Sequence, residues 1–360
     1  MKIITFIVLT FFLLGSCSRQ EDNNSLSNSC DIKQIEDSLS QYLSTASTDS
    51  DFSFYIERED GQNYLFNRGT SSMNTVYESA STSKWVSAAI ILWAVENISG
   101  FDLDDIPSDH YTWSMPIGES VYNTKLSQLL SFTSGLQGEA NCLKFGVPAK
   151  TYDNCINDAI GSIVSVNIGN GYTPGSSFHY SSSHLQVAGA MAISASGEAS
   201  WQDLFASFKV STGLFSSSNF SLPSVSNPRL SGGMTWAGND YIGFLRALYQ
   251  NQIFSQSLRN EMFKDGIANL SVSYSPAFDG LGEQWHYGFG VWLECPNNTF
   301  NCSNINYYSS PGAYGSYPFI NLNKKFFGIL ARQGALGTYT NGVILFRSIQ
   351  TDVEKWADCN

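Results

Sequence analysis

The sequence predicts an α+β fold: one antiparallel sheet flanked by helices, with a helical insertion. Three observations predict it. A helix-and-hairpin pattern occupies about residues 30–97, strand-like runs and a closing helix fill about 281–360, and the intervening 98–280 mixes short helices with Gly/Pro/Ser loops. The first and last parts are expected to share the sheet, and the middle to form the insertion. No internal repeat interrupts this pattern.

Taken in order, residues 31–44 carry Ile32, Ile35, Leu39 and Leu43 at helical spacing, which makes an amphipathic first helix. Residues 52–57 and 64–67 flank Asp60-Gly61, a hairpin signal. Residues 85–95 are almost all apolar and free of Gly and Pro, the pattern of a buried helix. Short helices are expected at 125–131, ending near Thr133-Ser134-Gly135, at 185–196 and at 240–251. Strands are expected at 287–293, 316–322 and 326–332, and a closing helix at 342–357.

The chain has 360 residues, enough for a large core. Only 14% of them are charged, and the net charge is -12 without a basic cluster. Nucleic acids and acidic membrane surfaces are therefore excluded as partners. Lys2 precedes an apolar run, residues 3–14, broken only by Thr5 and Thr10. It is too short to span a bilayer and fits the apolar region of a signal peptide. Leu14-Gly15-Ser16-Cys17 resembles a bacterial lipobox, with Cys17 as the lipidated first residue of the mature chain; the alternative is a plain signal peptide cut near Ser16. Ser18 in place of Asp implies an outer-membrane destination. The expected organisation is a signal peptide at 1–16, a flexible tether at 17–29 and a folded domain at 30–360. The expected location is the cell envelope or the exterior, with the membrane engaged only through a lipid anchor.

Setting Cys17 aside from the seven cysteines leaves six, an even number that suggests disulfides in an exported chain. Many connectivities are open. The short-range pairs Cys142–Cys155 and Cys295–Cys302 are favoured, with Cys30–Cys359 joining the termini. No cysteine lies beside a histidine or in a C-x-x-C pair, so zinc and redox chemistry find no support. Sequons at Asn23, Asn97, Asn219, Asn269, Asn297 and Asn301 matter only in a eukaryotic secretory pathway.

Ser81-Thr82-Ser83-Lys84 is the only S-x-x-K in the chain and opens its most apolar mature helix. Residues three apart share a helical face, so the amine can lie beside the hydroxyl. A helix N-terminus favours developing negative charge. A desolvated lysine with a lowered pKa can then take the serine proton, which activates a nucleophile without histidine. The ordinary alternative is a serine N-cap followed by a first-turn lysine. The apolar helix argues against it, because a buried amine needs a partner or a task. The four histidines are His110, His179, His184 and His286, and no G-x-S-x-G elbow accompanies them. His179 and His184 flank Tyr180 and read as pocket lining or surface. No histidine pair has metal-ligand spacing, no phosphate loop is present, and no metal or cofactor is implied.

Six motifs in order then resemble the serine β-lactamase-related hydrolases, the group of class C β-lactamases, D-Ala-D-Ala carboxypeptidases and family VIII esterases. They are Ser81-Thr82-Ser83-Lys84-Trp85, Phe101-Asp102-Leu103-Asp104-Asp105, Leu129-Leu130-Ser131-Phe132-Thr133-Ser134-Gly135-Leu136, Phe178-His179-Tyr180-Ser181-Ser182, Asn227-Pro228-Arg229-Leu230-Ser231-Gly232-Gly233-Met234 and Tyr287-Gly288-Phe289-Gly290-Val291-Trp292. The resemblance covers about residues 50–335 and implies a β-lactamase/transpeptidase-like fold. It implies Ser81 as nucleophile, Lys84 as base or base-orienter, and Tyr180 as the proton shuttle, which a phenol can perform only with a cation beside it. Ser182 stands where many relatives have Asn and could bond substrate or Lys84. The third motif departs from the family. Ser309-Ser310-Pro311-Gly312-Ala313 carries neither Lys nor His, although Gly312 lets a substrate lie close and the Ala313 and Ser81 amides would form an oxyanion hole. Without that cation, ester or other neutral acyl substrates, small-molecule or peptide, are favoured over β-lactams. The competing expectation is a binding lipoprotein of the same fold without turnover.

Overall fold

The computed structural model describes residues 30–45, 50–110, 123–144, 151–156, 173–295, 302 and 305–359. The signal peptide, Cys17 and the tether lie outside the described residues, as do Asn23, Asn297 and Asn301.

The sheet joins both ends of the chain. Helix α1 (Ile32–Thr45) leads into strands β1 (Phe52–Arg58) and β2 (Asn63–Arg68), which pair across the Asp60-Gly61 turn. Late in the chain come β3 (His286–Tyr287), β4 (Trp292–Leu293), β5 (Tyr308–Ser309), β6 (Tyr317–Asn321) and β7 (Phe326–Ala331). The order is β3-β4-β5-β6-β7-β1-β2, antiparallel throughout. β1 therefore lies beside β7, with Phe54 opposite Leu330 and Ile56 opposite Gly328.

Helices cover both faces of this sheet. Helix α2 (Ser83–Asn97) belongs to the first part of the chain. Helices α3 (Ser183–Ser196), α4 (Trp201–Thr212) and α5 (Gly238–Tyr249) belong to the insertion, and α6 (Tyr339–Ala357) closes the chain. Alternate strand residues point to opposite faces. Phe319 accordingly stacks 4.3 Å from Phe346 of α6, while Phe327, on the other face, lies 5.5 Å from Tyr249 of α5. Strands buried on both sides need apolar residues without strict alternation, which is what β6 and β7 carry.

The expected elements form, with several differences. Residues 287–293 make two short strands, not one. Gly290, at φ +69°, folds the chain back so that Tyr287 pairs with Trp292. The closing helix starts at Tyr339, whose hydroxyl donates to the Pro276 carbonyl at 2.9 Å. The helices Trp201–Thr212 and Gln256–Met262 were not foreseen. Ser200 caps the first of these by accepting from the Asp203 amide, a pattern present in the sequence.

All three disulfides form as expected: Cys30–Cys359, Cys142–Cys155 and Cys295–Cys302. The first joins the segments flanking α1 and α6, which pack together and share the Trp356 Nε1 to Glu36 Oε1 bond at 2.9 Å. It closes a loop of sequence separation 329. Replacing Cys30 and Cys359 by Ser is expected to cost about 2–5 kcal/mol. Calorimetry should show a lower Tm for that variant in oxidising buffer, and no difference from wild type once both proteins are reduced.

Candidate active site

Ser81 lies in a single 3-10 turn, Ala80–Thr82, that runs directly into α2. Ala80 is held at φ 46°, a strained conformation for a residue with a Cβ, at a cost of order 1–3 kcal/mol. The surroundings enforce it. The Ser79 amide donates to Met234 O at 3.1 Å and the Met234 amide to Ser83 Oγ at 3.2 Å. Trp236 Nε1 donates to Thr82 Oγ1, and the Tyr241 hydroxyl to Thr82 O, both at 2.9 Å. Residues 79–83 are thus bolted to the strand Met234–Ala237 and to α5.

Lys84, one helical turn beyond Ser81, is only 3% exposed. Its Nζ donates to Ser81 Oγ at 3.1 Å and to Ser231 O at 2.9 Å. It also sits 4.6 Å from the centre of the Tyr180 ring. Burial lowers the amine to about 7; Glu139 opposes the shift and Arg229 adds to it. The free amine is thereby brought within reach of neutral pH.

Tyr180 follows the strand Ser177–His179, which pairs in parallel with Ser271–Tyr274. Its ring stacks on Trp292 at 5.0 Å. Burial pushes the phenol well up, and hydrogen bonds to Ser81 and Trp292 only partly oppose this. The amine, not the phenol, is therefore the group of this pair that can be a free base at neutral pH. Tyr180 remains a neutral hydroxyl able to donate and accept.

The third-motif residues line the other side. Ser310 Oγ donates to the Ser81 carbonyl at 3.0 Å. Gly312 lies so close to the turn that a Cβ there would stand 2.5 Å from Ser79 O. Ala313 and Pro311 border the cavity next to Ser81. Ser182, which the motif spacing brought forward as a partner for Lys84 or substrate, instead donates to Glu139 Oε1.

The histidines are not part of this arrangement. His184 is fully buried and held neutral, with its pKa lowered to about 3; Nδ1 bonds Ser134 Oγ at 2.7 Å and Nε2 bonds His179 O at 2.9 Å. Phe132, where relatives have His, stacks on His184 at 4.7 Å. His179 bonds Ser273 Oγ at 3.0 Å, and His286 is paired with Asp265. His110 is paired with Asp105. Among the described residues no group of His, Cys, Asp and Glu could hold a metal ion.

Beside Ser81 opens a cavity of about 260 Å³. Leu281, Trp285, Trp292 and Val343 give it apolar walls, with Tyr180 and Tyr274 at its edges. No charged side chain lines it among the described residues. Of these wall residues only Trp292 lies in a motif; Leu281 comes from the short helix Pro276–Leu281 and Val343 from α6, far apart in sequence, and the motifs gave no sign of them. Ser231 was legible only as part of a Gly-Gly segment; its role as the acceptor for Lys84 comes from the fold.

A buried amine that is charged in the unfolded chain and largely neutral in the folded one has a signature. Between pH about 7 and about 10.4 the folded state binds fewer protons at Lys84, so this group's contribution to stability rises with pH. Lys84→Met should therefore melt above wild type at pH 7. The difference should shrink as the pH approaches 10, as measured by calorimetry across that range.

Comparisons with known proteins bear on the family and the fold. The Beta-lactamase family model matches residues 56–337. No curated protein matches the chain. A candidate beta-lactamase from Bacteroides dorei superposes with TM-score 0.71 at 24% identity, over 90% of this chain and 99% of that one. A hydrolase with promiscuous acyltransferase activity gives TM-score 0.66 at 17% identity, over 90% and 98%. The D-amino acid amidase of Ochrobactrum anthropi, solved with D-phenylalanine, gives TM-score 0.64 at 14% identity, over 91% and 99%. With the match spanning most of its length and the sheet, helices and motifs in place, this chain belongs to the Beta-lactamase family.

Proposed function

We propose that this protein is an exported serine hydrolase that works through an acyl-enzyme on Ser81. The observation that carries the reading is the buried Lys84 amine, 3.1 Å from Ser81 Oγ with its pKa lowered to about 7. Neutral Lys84 accepts the Ser81 proton as Oγ attacks the acyl carbon. The Ser81 and Ala313 amides receive the developing oxyanion. Tyr180, hydrogen-bonded to Ser81, passes the proton to the leaving group, and water then releases the acyl group.

The cavity supports a neutral, apolar acyl group. A carboxylate placed among Leu281, Trp285 and Val343 would lose its hydration without a partner. The third motif offers no cation in compensation, and the Ser310 hydroxyl is already bonded to the Ser81 carbonyl. Simple esters are therefore favoured over β-lactams, with amides of apolar acyl groups between them. The neighbours described as a hydrolase with promiscuous acyltransferase activity and as a D-amino acid amidase are in keeping with an acyl-transfer reading. We further propose that Cys17 carries the lipid and residues 18–29 tether the domain to the envelope.

A fluorophosphonate probe should label the purified protein at Ser81, as located by mass spectrometry of the adduct. Lys84→Ala and Ser81→Ala should each abolish labelling while the melting temperature is held or raised. A folded wild-type protein that resists the probe would instead support the binding lipoprotein. Among activated esters, a butyryl ester should be cleaved about tenfold or more faster, in kcat/KM, than a succinyl half-ester of the same leaving group. The reverse order would contradict the apolar acyl site.

A further inference from the structure

Two side chains, Tyr274 and Trp285, border both the cavity beside Ser81 and a second hollow of about 340 Å³, whose other walls include Val272 and Phe278. Tyr274 is 42% exposed and stands at the rim. Trp285 is 2% exposed, so it is the buried wall between the two hollows.

That wall is held in place from the side away from both hollows. Trp285 directly precedes β3, and its Nε1 donates to Glu283 Oε2 at 2.6 Å, the acceptor that a buried indole N–H needs. Glu283 follows Gly282, whose left-handed backbone at φ +71° ends the helix Pro276–Leu281. Arg347 of α6 grips the same carboxylate with both terminal nitrogens, Nη1 to Oε1 and Nη2 to Oε2, the second at 2.7 Å. Its guanidinium carbon lies 5.7 Å from the centre of the Trp285 ring. Arg347 Nη2 also reaches Glu294 Oε2 at 3.4 Å, and Glu294 Oε1 accepts from the Ser309 and Tyr317 hydroxyls at 2.5 and 2.7 Å. Arg347 stands one helical turn beyond Val343, which lines the cavity, and neither Arg347 nor Glu283 lines either hollow. Trp292 packs edge-on against Trp285 at 5.9 Å. An indole bonded to a carboxylate, covered by a guanidinium and packed against a second indole has little freedom to swing aside.

We propose that Trp285 is the specificity-determining residue of the acyl site, and that Glu283 and Arg347 are the positioning residues that keep it there. Short acyl groups fill the cavity beside Ser81, and a longer chain meets the indole. Removing the indole joins the two hollows. A longer chain can then run on to Val272 and Phe278 and bury more apolar surface.

This rests on the reading of the cavity as the acyl site of a Ser81 nucleophile, and the test separates the two claims. The kcat/KM values for nitrophenyl butyrate and nitrophenyl octanoate are measured with wild type, Trp285→Ala, Trp285→Leu, Glu283→Ala and Glu283→Gln, each checked for folding by its melting curve. Wild type should prefer butyrate. The octanoate-to-butyrate ratio should rise about tenfold or more in Trp285→Ala or, where that variant does not fold, in Trp285→Leu. Glu283→Ala should raise the ratio by a smaller factor. Glu283→Gln, whose amide oxygen can still accept from the indole, should return it towards wild type. A wild type that cleaves neither ester overturns both claims. A wild type that already prefers octanoate, or Trp285 variants that slow both esters by the same factor, would overturn the inference and leave the nucleophile intact. An unchanged ratio in Glu283→Ala would overturn the positioning role.

Discussion

The burial of one amine constrains the rest of this structure. Lys84 is placed in the first turn of a helix that is apolar all round, where an ammonium cannot be hydrated. Such a group needs acceptors, and the fold supplies two, the Ser81 hydroxyl and the Ser231 carbonyl. It also needs a lid, and the Tyr180 ring provides one. Three segments distant in sequence are thereby brought to one point. The hydrogen bonds from Met234, Trp236 and Tyr241 that lock residues 79–83 fix the same point from below. The stability lost by holding a lysine there and Ala80 at positive φ is offset by a core that includes Trp85, Ile90, Ile91 and Leu92, each worth about 1.5–3 kcal/mol when fully buried.

Much of the fold was legible because its signals are local or covalent. The hairpin rests on Asp60-Gly61, α2 on an unbroken apolar run, and the meeting of the termini on an even cysteine count. Ser81 and Lys84 were legible because residues three apart on a helix must meet. The rest depended on distant pairing. That β4 and α6 wall a cavity with Trp292 and Val343 follows from the sheet order, which no residue announces. The partner of Ser182 was equally hidden, since Glu139 lies 43 positions earlier in the chain and no motif links the two. The reversal at Gly290 was missed because the apolar run 287–293 reads as a strand while its glycine fixes a turn.

The departures from the family pattern are consistent with one another. Phe132 replaces a histidine and stacks on His184, whose own nitrogens are taken up by Ser134 and the His179 carbonyl. Loss of the third-motif cation coincides with a cavity lined by aromatic and aliphatic groups. Each change removes a charged or titratable group from around Ser81 and Lys84. The Ser81–Lys84 pair is kept, and the cavity beside it is uncharged among the described residues, which is the basis of the proposed preference for uncharged acyl groups.

The proposed chemistry depends on the protonation state of Lys84 in the folded protein. Direct titration of the lysine side chains by NMR, with isotope-labelled Cε and Nζ and the Lys84→Met variant for assignment, measures it without reference to any substrate. One lysine, absent from the variant, should titrate near 7 while the exposed lysines titrate near about 10.4. If Lys84 titrates with the exposed lysines, it is not desolvated in solution, and the activated serine has no base.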